Sequence, residues 1–241
     1  CPWDREQTHE SIKKNLIEET YEVIEAINQQ DKALLCEELG DVLMQVVFHA
    51  QMEAEEGSFT FENVADGVCK KLIERHPHVF GEVEVTGSEE VLRNWDDIKK
   101  RSKGQTSQTE TMLSVPRELP ALMRATKVQK KAAKVGFDWP DISGAVDKLY
   151  EETSELSGAI ESGSEEEIAE ELGDLLFSAV NVSRFVGCDA EEALTAATDK
   201  FMRRFACVEE KARERGLKLE ELSLSELDAL WDEAKLDLLS K

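Results

Sequence analysis

The stretch YEETSELSGAIESGSEEEIAEELGDLL, residues 150–176, contains ten acidic side chains and no basic one. Apolar residues recur at helical spacing on both sides of a short break at 161–164: Leu149, Leu156 and Ile160 before it, and Ile168, Leu172, Leu175 and Leu176 after it. This periodicity predicts two amphipathic helices, and the break predicts the turn between them. Two helices joined by a short turn pack as antiparallel neighbours. The stretch therefore predicts a helical hairpin.

The hairpin sequence occurs twice in the chain. The stretch 17–43, IEETYEVIEAINQQDKALLCEELGDVL, aligns without a gap at an offset of 150 − 17 = 133 residues. Outside it the match continues with small shifts, as between WDDIK (95–99) and WDEAK (231–235). Two copies at so long a period indicate a duplicated domain and not a solenoid. We predict an all-α protein with tandem helical-bundle domains, each built on one EExxE and ExxD helix pair.

The domain boundaries follow from composition. The stretch 104–120 is polar, contains two prolines and predicts a linker. We therefore predict an N-terminal domain at 1–103 and a C-terminal domain at 121–241, each of a normal domain size.

The net charge excludes several classes of partner. With 52 acidic and 29 basic residues the formal net charge is −23, which repels nucleic-acid polymers and anionic membranes. The longest apolar runs are too short to span a bilayer. Five dispersed cysteines without a CxxC pair argue against a disulfide framework or a zinc–thiolate site, so we expect a cytoplasmic location.

Four carboxylates of the opening stretch interrupt its apolar stripes. Glu152 and Glu155 are three residues apart, as are Glu171 and Asp174, so each pair shares one helix face. Glu152 occupies a position at which the apolar pattern of the first helix predicts a leucine. Glu171 occupies the corresponding kind of position on the second helix. Carboxylates on core-facing stripes are costly unless something neutralises them. Oxygen-only ligands suit a hard cation, so the pattern favours a site for Mg²⁺, with Mn²⁺ as a substitute.

Two other interpretations compete with this one. In a chain so rich in acids, an isolated ExxE is usually a solvated surface pair. A di-iron carboxylate bundle is the second alternative, but such sites use Glu-x-x-His pairs. No histidine stands three residues after a glutamate of these motifs. The repetition of both pairs at the same separation in both halves favours the hard-cation site.

The ordered motifs of the chain resemble those of a known family. CPWDREQT (1–8), EETYE (18–22), both EELGD blocks, ERHPHVF (74–80), LPALMRA (119–125), VGFDW (135–139) and the final tryptophan helix are similar to segments of the MazG family of all-α nucleoside triphosphate pyrophosphohydrolases. The resemblance spans nearly the whole chain. It implies Mg²⁺-dependent hydrolysis of nucleoside triphosphates to the monophosphate and pyrophosphate, as nucleotide-pool house-cleaning. It also implies a helical-bundle homodimer.

The resemblance also implies roles for individual residues. The metal ligands of the second domain are Glu152, Glu155, Glu171 and Asp174, and their first-domain counterparts are Glu19, Glu22, Glu38 and Asp41. Glu152 would take part in catalysis by binding the metal ion. Glu151, which lies beside the ligands but not at their spacing, is a candidate to orient or deprotonate the attacking water.

Candidate substrate-binding residues follow the acidic pairs. Lys200, Arg203 and Arg204 lie one predicted helix later, and Lys148 lies one turn before Glu152. Arginine grips phosphate oxygens bidentately and lysine acts as a point charge. Trp231 is a candidate to stack on a base or close the pocket. The alternative is that these basic residues are solvated on the surface and that Trp231 belongs to the hydrophobic core.

The two halves differ at these positions. The first half has Lys71, Arg75 and His76 and lacks the paired arginines, although its Trp95 matches Trp231. We therefore expect the second domain to be the main catalytic one. Two further functions stay open: a non-catalytic helical dimerisation or regulatory module, and a narrow dUTP- or dCTP-type pyrophosphatase.

Overall fold

The structure is a computed structural model that describes residues 1–239. Within them the chain forms α-helices, one 3₁₀ turn and connecting loops, with no β-strand, so the predicted all-α class is confirmed. The chain divides into two compact units, the first spanning Cys1–Gly104 and the second beginning at Gln105. No helix in the described range is both long enough and apolar enough to cross a membrane.

The first unit is organised around one helical hairpin. Its helices are α1 (Pro2–Arg5), α2 (His9–Gln29), α3 (Lys32–Glu55), α4 (Phe61–Arg75), α5 (Pro77–Phe80) and α6 (Ser88–Ser102). The two longest, α2 and α3, pack against each other along their length, and α4 packs on α3 and α6. The predicted hairpin of residues 17–43 is therefore the α2–α3 pair.

The second unit contains two hairpins. Its helices are α7 (Gln108–Leu113), α8 (Ala121–Ala133), α9 (Ile142–Ser162), α10 (Glu165–Phe185), α11 (Ala190–Glu214) and α12 (Leu224–Leu239), with a 3₁₀ turn at Leu219–Glu221. The α9–α10 pair is the hairpin of the opening stretch, and α11 pairs with α12. Helix α8 packs on both α10 and α11, which joins the two hairpins into one unit.

Local sequence sets the turn between α9 and α10. Gly163 adopts the left-handed conformation (φ 76°) that ends α9, where a residue with a side chain would be strained. The Ser164 side chain then caps α10 by accepting a hydrogen bond from the Glu167 amide at 3.3 Å. Three consecutive acids at Glu165–Glu167 occupy the first turn of α10, where the helix dipole favours negative charge. The turn therefore fixes the register of the carboxylates that follow.

The stretch 104–120, predicted as a linker, contains helix α7 and lies within the second unit from Gln105 onward. Ser107 and Glu110 form a reciprocal capping box that starts the helix. The Gln108 side-chain amide donates to the Lys131 carbonyl on α8, and Val115 is buried. Capping and packing thus give structure to a segment whose polar composition alone suggests a loop.

Four alanines are among the buried residues of the hairpin helices. Ala26 and Ala50 are buried in the first unit, and Ala145 and Ala159 are buried on α9. A separate apolar cluster joins α11 to α12, formed by Val208, Ala212, Leu230 and Ala234. Larger apolar side chains on the hairpin helices stay exposed in the single chain, among them Ile27, Leu39, Tyr150, Ile160 and Leu172.

A bidentate ion pair holds the loop after α8 against α10. The Arg184 guanidinium donates to both carboxylate oxygens of Asp138, with Nη1 at 2.8 Å from Oδ2. The Arg184 side chain is 13% exposed and that of Asp138 is 24% exposed. The hydrogen bonds from Arg184 hold the pKa of Asp138 below its usual value.

We predict that Asp138→Asn lowers the free energy of unfolding at pH 7 by about 1–3 kcal/mol, because Arg184 loses a charge-assisted pair. A depressed folded-state pKa means that the pair contributes fully above about pH 4 and less as pH falls through that pKa. The difference between wild type and variant should therefore shrink between pH 7 and pH 3 in urea unfolding. Asp147→Asn, on the exposed face of α9, is the control. Equal stability of Asp138→Asn and wild type at pH 7 would contradict the role of the pair.

Candidate functional site

Carboxylates converge inside the α9–α10 hairpin. One oxygen from each of Glu152, Glu155 and Glu171 lies within 4.8 Å of the other two. Glu152 is only 4% exposed, whereas Glu155 is exposed and Glu171 is half-buried. Asp174 is not in this set, but its charge is near enough to help raise the pKa of Glu171. Three of the four carboxylates predicted for the second domain therefore meet.

The first unit repeats the cluster with a different membership. Oxygens of Glu19, Glu38 and Asp41 lie within 4.8 Å of one another between α2 and α3. Glu22 lies outside this set but shares a hydrogen bond with Glu19. In each unit the fourth predicted carboxylate is thus a neighbour of the cluster and not a member of it.

The clusters are electrostatically unfavourable as they stand. Burial raises the pKa of Glu171, and the negative charges of Glu155, Glu152 and Asp174 raise it further. Burial likewise raises the pKa of Glu19, helped by a hydrogen bond and charge repulsion from Glu22. A bound cation would relieve both the repulsion and the burial penalty of the charged forms.

Lys148 partly neutralises the second cluster. Its ammonium lies 2.6 Å from Glu152, 2.8 Å from Glu151 and 4.0 Å from Glu155. Hydrogen bonds to Glu151 and Glu152 raise the pKa of Lys148. The predicted substrate-binding Lys148 and the predicted proton acceptor Glu151 therefore lie at the cluster, paired with each other.

The position equivalent to Lys148 holds a different residue at the first cluster. The 133-residue offset places Asn15 at the position of Lys148. There the nearest neutralising contact to Glu19 is the Gln45 side-chain amide, whose Nε2 donates to Glu19 at 3.4 Å. Ser178 takes the place of Gln45 in the second unit. The equivalent glutamates of the two units thus have different partners, an amide for Glu19 and an ammonium for Glu152.

The donor set fits a hard divalent cation. All the converging atoms are carboxylate oxygens, and neither cluster includes a histidine or cysteine. Oxygens sharing one Mg²⁺ at about 2.0–2.1 Å lie about 3–4 Å apart, so a 4.8 Å spread needs only small side-chain movements. The residues that would hold the ion are Glu152, Glu155 and Glu171, with Asp174 beside them.

The remaining predicted substrate residues lie on the second hairpin of the unit. Lys200, Arg203 and Arg204 are on α11, and Trp231 is on α12. Within residues 1–239 none of the three basic side chains is hydrogen-bonded or ion-paired with a carboxylate of the cluster. The Arg204 guanidinium instead lies 5.9 Å from the centre of the Trp231 ring. Trp231 is partly buried and packs on the α11–α12 apolar cluster.

The first unit has a related arrangement. The Arg75 guanidinium lies 5.2 Å from the centre of the Trp95 ring, and the His76 ring lies 4.9 Å from it. An arginine over a tryptophan is therefore common to both units, while a lysine at Glu152 is found at the second cluster only.

A mostly apolar cleft in the second unit was not predicted from the sequence. It has a volume of about 470 Å³ and is lined by Gln129 on α8, the 136–139 turn, and Phe177, Asn181 and Arg184 on α10. The only sequence signals were the VGFDW motif, to which no role was given, and the polar Gln129 beside the apolar stripe of its helix. These residues come together only in the folded unit.

Comparison with known proteins identifies the family. The model of the MazG nucleotide pyrophosphohydrolase domain matches residues 7–80 and 143–208, one segment in each unit. The nucleoside triphosphate pyrophosphohydrolase/pyrophosphatase MazG of Thermotoga maritima is 48% identical over 98% of this chain and 89% of its own length. The nucleoside triphosphate pyrophosphohydrolase of Escherichia coli K12 is 45% identical over 98% and 90%. The uncharacterized protein YabN of Bacillus subtilis is 51% identical over 98% of this chain and 48% of its own length.

We predict that Glu171→Gln raises the Tm of the EDTA-treated protein at pH 7, because it removes one of the mutually repelling charges. The pKa of Glu171 is raised in the folded state. Below its usual pKa the carboxyl is protonated in both the folded and the unfolded state, so it causes no repulsion. The repulsion destabilises the folded state as pH rises through the raised pKa. The gain in Tm should therefore vanish near about pH 4. With added Mg²⁺, wild type should have the higher Tm of the two. An ion that binds the native state stabilises the protein that binds it more tightly, and the variant lacks one of the carboxylates.

Glu166→Gln, an exposed change in the first turn of α10, is the control and should show neither effect. A Glu171→Gln variant that is less stable than wild type in EDTA would contradict the repulsion within the cluster. Differential scanning calorimetry at several pH values and Mg²⁺ concentrations makes the measurement.

Proposed function

The chain belongs to the MazG nucleotide pyrophosphohydrolase family, and from that membership we propose that it hydrolyses nucleoside triphosphates to the monophosphate and pyrophosphate in the presence of Mg²⁺. The observation that carries the proposal is the convergence of three carboxylates, one of them 4% exposed, inside the α9–α10 hairpin. A scaffold gains nothing from burying charges that repel each other. A phosphate-processing site needs a cation held in that way.

The reaction begins with attack of water on the α-phosphorus. The new bond joins the water oxygen to that phosphorus, the bond to the oxygen bridging the α- and β-phosphates breaks, and pyrophosphate leaves. A bound Mg²⁺ would supply charge neutralisation to the phosphate oxygens. Glu152, Glu155, Glu171 and Asp174 would hold it.

Glu151 is the proposed acceptor for the proton of the attacking water. Its carboxylate is exposed and lies one residue from the buried Glu152, so it faces solvent at the edge of the cluster. In the structure it is held by the Lys148 ammonium at 2.8 Å. A carboxylate within reach of the water can take its proton as the phosphorus–oxygen bond forms.

The basic side chains are proposed to bind the triphosphate. Lys200, Arg203 and Arg204 have no carboxylate partner in the described range, so their charges are available to a ligand. With a cation bound at Glu152, Lys148 would be able to donate to phosphate oxygens in place of the carboxylates. The Arg204–Trp231 pair presents a cation and an aromatic face side by side, a combination that suits a nucleotide.

The second unit is the proposed main catalytic unit. Lys148 lies at its cluster, whereas the first cluster has Asn15 at that position. Of the paired arginines of α11, Arg204 corresponds to Arg75 of the first unit, which lies against Trp95, whereas Glu74 stands at the position of Arg203. The first unit retains the carboxylates and lacks the ammonium needed for the phosphates.

A homodimer is the proposed assembly. Apolar side chains on both hairpins are exposed in the single chain, including Tyr150 at 71% and Ile160 at 59%. A second copy packed on these faces would bury them, since contiguous exposed apolar surface marks an interaction site. All five cysteines are free, which suits the reducing cytoplasm as the place of a house-cleaning enzyme.

A narrow substrate range is a second candidate function. The cleft between α8 and α10 is lined in part by Asn181, an amide side chain of the kind that a base-selective enzyme for dUTP or dCTP would use. A panel of ribo- and deoxynucleoside triphosphates, assayed for pyrophosphate release with Mg²⁺ and with EDTA, tests both candidates. Release from many nucleotides favours the general enzyme, and release from one favours the narrow one. No release from any nucleotide overturns both.

A matched pair of variants tests the division of labour. Glu152→Gln should lower kcat on the order of 10²–10³-fold, because it removes the most buried carboxylate of the second cluster. Glu19→Gln, the same change at the same position of the repeat, should leave kcat within about twofold of wild type. Equal losses in the two variants would contradict the assignment of catalysis to the second unit.

Glu151→Gln tests the proton acceptor. We expect kcat to fall by about 10²–10⁴-fold, the usual contribution of a general base. Mn²⁺ affinity, followed by electron paramagnetic resonance, should stay close to wild type, since Glu151 is not in the cluster. Unchanged turnover with intact Mn²⁺ binding would remove Glu151 from the mechanism.

A further inference from the structure

We propose that His9 and His49 of the first unit form a transition-metal site, with Zn²⁺ as the ion, at the open end of the α2–α3 hairpin, the end opposite the turn that joins the two helices. The site is separate from the carboxylate clusters and does not depend on the hydrolysis proposed above. Three observations support it: two ring nitrogens that face each other, a carboxylate that orients one of the rings, and a repeat of the hairpin that lacks all of these groups.

Folding of the hairpin brings the two rings together. His9 is the first residue of α2, and His49 lies two turns before the end of α3. Thr8 caps α2 in a capping box, which fixes the residue at which the helix begins. Next to His49, the ring of Phe48 packs edge-on against Trp3 with ring centres 6.5 Å apart, which holds the segment before α2 on α3. Both histidines therefore have defined positions.

The two ligand nitrogens point at each other. Nδ1 of His9 lies 2.6 Å from Nδ1 of His49. The ring planes are within 6° of parallel, and the ring centres are 5.0 Å apart. That separation is close to the Nδ1–Nδ1 distance plus one ring radius on each side, so both nitrogens lie between the ring centres. Without a metal ion, one nitrogen carries a proton and the other offers its lone pair. A metal ion can take the place of that shared proton.

A carboxylate orients the His9 ring. Oε1 of Glu53 accepts a hydrogen bond from Nε2 of His9 at 2.9 Å. An ionised carboxylate can only accept, so His9 carries its proton on Nε2, and the neutral ring presents a lone pair at Nδ1. Metal-bound histidines commonly donate the other ring N–H to a carboxylate in this way, which fixes the tautomer and makes the ligand more basic. His49 and Glu53 are four residues apart on α3, so they share one helix face.

The surroundings favour the neutral rings that a metal ion needs. Burial lowers the pKa of His49, and the charge of His9 lowers it further. Only the neutral imidazole binds a metal ion, so this shift favours binding at pH 7. The His9 side chain is 48% exposed, which gives an ion and its water ligands access from solvent. The formal net charge of −23 attracts cations to the surface.

The ligand type selects an ion other than Mg²⁺. Imidazole nitrogens suit Zn²⁺ and its neighbours in the first transition series, whereas Mg²⁺ takes oxygen ligands. Two nitrogens bound to a tetrahedral Zn²⁺ at about 2.0–2.1 Å lie about 3.3 Å apart, so the rings need to separate by about 0.7 Å, and water fills the remaining positions. His49 lies eight residues after Asp41 on α3, about 12 Å along the axis. The two kinds of site therefore share no ligand.

The repeat of the hairpin shows that the fold does not need these polar groups. The 133-residue offset places Ile142, Val182 and Val186 at the positions of His9, His49 and Glu53. Apolar side chains at all three positions suffice for the α9–α10 hairpin. The imidazoles and the carboxylate are thus an addition to the first unit, and they contact one another there.

The same repeat supplies the variants for a binding test. His49→Val and His9→Ile introduce the residue types of the second unit, so we expect both variants to fold. Zn²⁺ is titrated by isothermal calorimetry into the EDTA-stripped, dialysed full chain, with excess Mg²⁺ present for the carboxylate clusters. Wild type should show one binding step that both variants lack. His76→Gln is the control and should keep that step, because Nδ1 of His76 already contacts the Leu72 carbonyl at 2.7 Å.

Glu53→Val tests the orienting carboxylate. We expect Zn²⁺ affinity to fall about 10–100-fold, the usual effect of removing the hydrogen-bond partner of a metal-bound histidine. Glu55→Gln, an exposed change two residues later on α3, is the control and should bind Zn²⁺ as wild type does. Unchanged affinity in Glu53→Val would remove Glu53 from the site.

The ring-nitrogen resonances give a readout that needs no variant. In long-range proton–nitrogen NMR spectra of wild type, Zn²⁺ should shift Nδ1 of two of the four histidines, His9 and His49, and leave their Nε2 atoms protonated. Zn²⁺ bound to thiols or carboxylates would leave both Nδ1 resonances in place. That result, or equal Zn²⁺ binding by wild type and His49→Val, overturns the site. No nucleotide enters these measurements, so a failure of the proposed hydrolysis does not affect their outcome.

Discussion

Repulsion among carboxylates held inside a hairpin is the interaction on which this protein depends. Folding brings Glu152, Glu155 and Glu171 together although their charges oppose it, and burial of Glu152 adds to the penalty. The small residues of the hairpin, such as Ala145 and Ala159, allow a close helix approach that brings such groups together. The stability lost at this point is what makes the site attractive to a cation. Stability and function are therefore opposed at the same residues.

Much of this arrangement could be predicted from the sequence, because it depends on short-range patterns. Helical periodicity and the break at 161–164 predicted the α9–α10 hairpin, and the same pattern earlier in the chain predicted the α2–α3 hairpin. Carboxylates that interrupt an apolar stripe at a repeated spacing pointed to the clusters. Which three of four carboxylates converge was not predictable, since it depends on side-chain rotamers and on the exact contact between helices. The helix α7 was missed because capping by Ser107 and Glu110 outweighs the polar composition of its neighbourhood.

The cleft between α8 and α10 could not be predicted from sequence patterns for a different reason. Gln129 and Asn181 are 52 residues apart in the sequence (181 − 129), and each is an ordinary polar residue on its own helix. Their meaning depends on partners that fix the amide orientation, the Phe177 carbonyl for one and the Arg184 guanidinium for the other. Only the packing of α8 on α10 brings the two amide side chains to the same cleft. Duplication of the hairpin preserved the carboxylates in both units, while residues outside the motifs diverged.

The position of Lys148 on the same helix as Glu152 gives the resting protein an internal counter-ion. The ammonium is one turn away and 2.6 Å from the carboxylate, so its local concentration is far above that of any free ion. A divalent cation bound as proposed would therefore compete with this tethered ammonium for the carboxylates. Metal affinity at the second cluster would then depend on the basicity of one lysine, whereas the first unit has Asn15 at that position.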